Sequence, residues 1–279
     1  MAEITQNLPE FANPPVTEVV LGVQFDPIKG LRTPQIGMLW QEFKDRLSVT
    51  EEQAPLESVI ERFGAARRPA GSVQIQMLDA PPTPRCWFLN EAGSELIQIQ
   101  PDRFIRNWRK VGKDDEYPRY QRKLRPAFAD EYARFVAFIE KEKLGELTPN
   151  QCEVTYVNLI APCEVWHDHA EADKVVTVLS QHYSDDFGGK PEDMRLEMRY
   201  VIPNDAGEPI GRLHVSLDPV FHLKDSTPML RLSLTARGRP EGEDVDGVLR
   251  FLDLGRAWVV RVFASVTTKE MHEVWRRQR

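Results

Sequence analysis

The chain has 279 residues, 41% hydrophobic and 28% charged, a composition that builds a core and excludes a disordered chain. That length suits one large domain or two of about 140 residues each. A net charge of −7 argues against a non-specific nucleic-acid coat, which needs excess Lys and Arg, yet leaves room for a local basic patch.

Three cysteines, Cys86, Cys152 and Cys163, are too sparse and odd in number for a disulfide framework, and suit reduced thiols in a cytoplasm. The opening MAEITQNLPEFANPP has neither the basic head nor the apolar run of a secretory leader. No segment reaches the roughly 18 apolar residues that span a bilayer. The expectation is a soluble cytoplasmic protein with no membrane partner.

Residues 1–15, polar and broken by prolines, are expected as a surface arm. Over 16–26, Thr17, Val19, Leu21, Val23 and Phe25 alternate with Glu18, Gly22, Gln24 and Asp26, which predicts a half-buried strand. Thr33-Pro34 supplies a helix start, and Ile36, Leu39, Trp40, Phe43 and Leu47 draw one apolar stripe behind it. A loop is expected over 48–71, then short strands near 72–78, 85–89, 95–100 and 103–109, with NEAGS (90–94) as a hairpin turn. A long helical pattern covers Tyr117 to Leu144, which Pro126 should start, kink or divide.

A strand follows at 153–160. Asp168 and Glu171 are spaced for a helix cap, and Ala172, Val175, Val176 and Leu179 for a helical stripe. After the turn-rich DDFGGKP (185–191), strands are expected near 194–202, 210–218 and 229–237, with a turn at NDAG (204–207). Val245, Val248, Leu249, Leu252, Val259, Val262 and Phe263 predict a long helix. Thr267 and Glu270 are spaced to cap a short last one.

The order strand, helix, strand run, long helix thus occurs twice. The expected organisation is an N-terminal arm (1–15), a first repeat (16–150), and a second repeat plus C-terminal helix (151–279). The fold class is α+β: a duplicated β-α-β(3-4)-α unit, its antiparallel sheet covered by helices on one face. Strand parity then lists an open polar face: Gln74, Gln76, Gln98, Gln100, Arg103, Asn107 and Arg109 from the first repeat. The second adds Arg195, Glu197, Arg199, Arg212, His214 and Ser216, with Ser233, Thr235 and Arg237. A slip of one residue would send any of these sets to the core side.

NPPVTEVVLGVQF (13–25), EVTYVNLI (153–160) and LDLGRAWVVRVFASVTTKEMHEVW (252–275) resemble a sporadically distributed bacterial protein family of 230–280 residues. Its members open with a Pro-φ-x-Glu-φ-φ strand and carry a Tyr-φ-Asn-φ-Ile strand in mid-chain. The resemblance covers most of the chain and implies no activity and no catalytic residues. Many members place a histidine in the C-terminal helix, where the nearest residue here is Arg256. Sporadic distribution associates the family with mobile or defence-linked genes.

Three clusters carry candidate chemistry. Cys163, His167 and His169 are zinc-type ligands within seven residues, but no second cluster nearby completes four; exposed histidines beside a helix cap are the plainer reading. The stretch 103–125 holds Arg103, Arg106, Arg109, Lys110, Lys113, Arg119, Arg122, Lys123 and Arg125, interleaved with Phe104, Trp108, Tyr117 and Tyr120. Cations with stackable rings suit nucleic acid or nucleotides; a solvated face with its aromatics in the core is the plainer alternative. Arg195, Arg199, Arg212 and Arg237 could receive an anion or an acidic partner. His214, Ser216 and Asp218 alternate along one strand and so cannot converge as a triad. Gly188-Gly189-Lys190 lacks the upstream glycine of a phosphate loop.

The expected function is a non-catalytic binding or regulatory protein holding a macromolecular partner, a protein first, through the open sheet face. The alternative is nucleic-acid or nucleotide binding through 103–125. A metal-dependent enzyme around His167–His169 is the third. No cofactor is expected.

Overall fold

The structure, a computed structural model, describes residues 6–64, 83–112, 115–179 and 189–279. Alternation in the opening apolar run produces β1 (Val16–Phe25), with Val19, Leu21 and Val23 buried on one side. Around it lie β2 (Val49–Gln53), β3 (Arg85–Leu89), β4 (Glu95–Gln100) and β5 (Arg103–Arg109). The remaining strands are β6 (Pro149–Ile160), β7 (Leu196–Pro203), β8 (Pro209–Phe221) and β9 (Pro228–Gly238). Among the described residues they make one nine-stranded sheet in the order β2-β3-β4-β5-β1-β6-β9-β8-β7. Every neighbouring pair is antiparallel. β1 and β6 run side by side at the centre, and beyond them β5-β4-β3 on one side matches β9-β8-β7 on the other.

The helices cover one face. α1 (Thr33–Trp40) begins with Pro34 in its first turn and buries Ile36 and Leu39; Phe43 and Leu47 of the same stripe are buried in the turns beyond it. α2 (Arg125–Lys141) carries Pro126 in its first turn, where the fixed φ of proline suits the helix. It sets Phe128, Tyr132 and Phe135 around Phe104 of β5, with ring centroids 5.8, 5.5 and 5.3 Å away. A π-helical turn (Tyr120–Leu124) precedes it.

α3 (Val245–Val266) is capped by Asp244, whose Oδ1 accepts the Gly247 N–H at 2.7 Å. Gly255 brings its backbone close to the sheet: a Cβ there would stand 3.2 Å from the Val154 and Ala236 side chains. α4 (Lys269–Val274) is capped by Thr268, one residue past the expected Thr267, whose hydroxyl instead bonds the Phe263 carbonyl at 2.7 Å and His272 at 2.8 Å.

Other local expectations shift as well. Leu8 and Phe11 of the arm are buried, and Ala12 and Asn13 N–H groups donate to the carbonyls of Arg276 and Trp275. β2 lies within the stretch expected as loop. The stripe at Ala172–Leu179 forms a short 3-10 helix (His169–Lys174) and a β-bridge from Val176 to Thr267 in place of an α-helix. The strand expected at 72–78, with Gln74 and Gln76, lies outside the described residues, as do residues 185–188 of the turn-rich segment.

Candidate functional site

Cross-strand partners share a face, so the register fixes which side chains look away from the helices. Gln24 stands opposite Arg103 and Gln151, Gly22 opposite Ile105 and Glu153, and Gln100 opposite Arg103. Further across, Glu153 faces Arg237, Arg237 faces Arg212, and His214 faces Thr235 and Arg199. The face expected from parity is thus the one that the helices leave uncovered.

Its middle carries a strap. After β2 the chain turns over this face, and residues 54–63 run across it with little secondary structure of their own. Backbone polar groups near a sheet need partners, and glutamine side chains provide them. Gln100 accepts the Leu56 N–H and donates to the Leu56 carbonyl, both at 3.0 Å. Gln24 accepts the Val59 N–H at 2.9 Å, and Gln151 accepts that of Glu61 at 3.4 Å. Arg103 donates to the Glu57 carbonyl at 2.9 Å. A side-chain amide carries the same donor and acceptor as a peptide unit, so the sheet grips the strap much as a neighbouring strand would.

Glu61 locks the far end. It is 7% exposed, whereas residues 54–60 are all exposed. One carboxylate oxygen is paired with Arg212; the other lies 2.6 Å from His214 Nε2 and 3.8 Å from Arg237. Burial raises the Glu61 pKa, but the bonds and charges of His214 and Arg212 outweigh it and hold the carboxyl below its ordinary range. The Arg212 guanidinium also covers the Phe63 ring at 4.8 Å. Arg237 is anchored by Glu153 at 2.6 Å.

The strap does not fill the space beneath it. A cavity of about 340 Å³ separates Leu56 and Val59 from a floor of Val20, Gly22 and Ile105, with Arg103 and Arg237 at its wall. This cleft is open to solvent, and residues 54–60 above it keep much of their surface exposed. This segment is therefore held by its backbone bonds to Gln100, Arg103 and Gln24 and by Glu61 more than by apolar packing.

The expected site residues divide. Arg103, Arg212 and Arg237 meet at the strap. Arg199 is exposed on β7 opposite His214, on the same face, and Arg195 is exposed just before that strand. Arg109 donates to the Gly93 carbonyl at 3.0 Å and lies 5.5 Å from the Trp87 ring. Arg106 falls on the helix side, 4% exposed, in ionic contact with Glu131 of α2 and Glu95, both at 2.9 Å. It is a core ion pair and cannot meet a ligand at the surface. Arg122 is exposed on the π-helical turn. The basic stretch 103–125 is thus split between the two sides of the sheet.

Cys163, His167 and His169 send their polar atoms to separate partners: Met271, Glu171, and the carbonyls of Val220 and Met229. Two carbonyl acceptors near His169 Nε2 require that nitrogen to carry the proton. No sequence pattern marks Glu61 or Gln151 as a partner in this site. Glu61 sits in a stretch with no periodicity, and only its tertiary partners mark it.

No helix among the described residues is long and apolar enough to cross a membrane. No family model, curated protein or solved structure matches the chain.

Proposed function

We propose that this is a non-catalytic binding protein whose open sheet face takes an extended, acidic segment of a partner protein, in the place that residues 54–63 occupy in its absence. The observation that carries the reading is Glu61 in the Arg212–His214–Arg237 nest, with the backbone before it held by Gln24, Gln100 and Gln151. Side-chain amides read main chain without regard to sequence, and guanidinium groups select the carboxylate. Residues 54–60 stay exposed over an open cleft, so releasing the strap costs few dispersion contacts.

The test uses a fluorescent peptide of residues 54–63, APLESVIERF, supplied in trans. A tethered strap competes at an effective concentration of about millimolar, so wild-type protein should bind the peptide weakly. Glu61→Ala should loosen the strap and raise the peptide's affinity about tenfold or more, and adding Arg212→Ala should abolish the gain. Equal anisotropy curves for wild type and Glu61→Ala would sink the reading. Single-stranded oligonucleotide bound more tightly than peptide would favour the nucleic-acid alternative instead.

The matching strand orders about β1 and β6 support the further reading that the sheet arose by internal duplication. Three free thiols, two of them buried, fit the cytoplasmic setting proposed here.

A further inference from the structure

A second cavity, of about 290 Å³, lies on the helix side, where the N-terminal arm, the π-helical turn, β6 and α3 meet. Its construction is unusual. Arg119 adopts φ 59°, ψ 127°, a conformation costly for any residue with a Cβ. There its guanidinium forks onto the Phe11 and Ala12 carbonyls at 2.8 and 3.0 Å and closes the arm over the cavity. The π-helical turn follows at once; such turns and such strain gather at functional sites.

The polar groups inside are not all satisfied by one another. The hydroxyls of Tyr117 and Tyr156 are 2.9 Å apart, and Tyr117 also accepts the Tyr120 N–H at 3.2 Å. Only one phenol proton can lie between the two oxygens, so the other O–H is left without an acceptor among the described residues. Burial pushes both phenols up, so both keep their protons at neutral pH. Arg256 of α3 lies 5.2 Å over the Tyr120 ring, and its Nε is buried with no hydrogen-bond partner among the described residues.

The acids nearby among the described residues are taken. Asp253 accepts from Arg125 at 2.8 Å and from Tyr120 at 3.0 Å, and Glu10 pairs with Arg279 at 3.2 Å. Leu8, Phe11, Val259 and Phe263 give the cavity an apolar wall. A cation with no carboxylate partner among the described residues, a spare phenol donor and an apolar wall define a complementary ligand.

We infer that this cavity is a binding site for a small organic anion, its carboxylate or phosphate held by Arg256 and the Tyr117–Tyr156 pair and its apolar body against the arm and Phe263. The volume suits a body of about one aromatic ring. The site stands apart from the strap and does not depend on the reading given for the open face.

Calorimetric titration of the full chain with benzoate, phenyl phosphate and benzyl alcohol tests it. Saturable binding of at least one anion is expected, with none of the alcohol, and the tighter anion identifies the head group. Arg256→Met should weaken that binding about tenfold or more, as expected for loss of a charge-assisted bond. Tyr156→Phe, which removes one hydroxyl while keeping the ring, should weaken it severalfold even if the arginine variant fails to fold. No saturable binding of either anion at millimolar concentration would overturn the assignment. So would affinity unchanged in Tyr156→Phe and in a folded Arg256→Met.

Discussion

Arg106 and Arg103 stand three residues apart and meet opposite fates. Odd positions of β5 face the strap, and even positions face α2. Arg106 is therefore carried under the helices, where Glu131 and Glu95 neutralise it. Burial pushes the Glu131 carboxyl up, although Arg106 and Arg46 both pull it down. A charge buried on one partner is expensive to leave alone. Glu131→Gln should cost about 3–5 kcal/mol in urea unfolding, while Arg106→Met combined with Glu131→Leu should recover most of that loss.

Glu61 shows the opposite balance. Its carboxyl is held below its ordinary value of 4.5 when the strap is docked. The ionised form therefore favours docking. That contribution is fully present above the undocked value and is lost as pH falls through the docked one. Acidification below about 4.5 should release the strap in the wild type, read as faster exchange of the Val59 and Glu61 amides. Glu61→Gln should show no such step. Parity alone placed Gln98, Gln100, Arg103, Asn107 and Arg109 on the correct face, because strand periodicity is local. Nothing local marks Glu61, whose role depends above all on Arg212 and His214 of β8, 151 and 153 residues further along.

Elements with strong periodicity were legible: β1, β6, β8, β9, α2 and α3 all lie close to where their apolar spacing predicts. β2 was not. Its sequence, VTEEQ, has no buried face to alternate with, and it forms as a charged edge beside β3. The stripe Ala172–Leu179 is buried as expected at Ala172, Val175 and Val176, but a 3-10 turn and a bridge to Thr267 bury it without an α-helix. Spacing reports burial there, and tertiary pairing decides the backbone.

Close strand approach sets another constraint. A Cβ on Gly238, at the end of β9, would lie 2.4 Å from the Ile210 carbonyl oxygen and 2.6 Å from the Phe251 ring. Backbone cannot yield as a flexible side chain can. Gly238→Ala should destabilise the fold by about 1–3 kcal/mol in chemical denaturation, and a neutral result would mean that β8 and β9 are less tightly joined than described.

At the scale of the molecule, one antiparallel sheet separates two environments. The helix side holds the apolar core and the tyrosine–arginine cavity. The other side is polar, and its centre is occupied by the chain's own residues 54–63. An α+β class with helices over an antiparallel sheet followed from the pattern of elements; the strap did not, because a segment without periodicity gives no hint of where it will lie.

Displacement of residues 54–63 from the sheet can be read amide by amide. Hydrogen–deuterium exchange of wild-type protein, with and without excess peptide of residues 54–63, measures displacement directly. The amides of Leu56, Val59 and Glu61, bonded to Gln100, Gln24 and Gln151, should exchange faster when peptide is present, while those of β1 and β6 stay unchanged. Unaltered exchange at all three amides under saturating peptide would contradict the account.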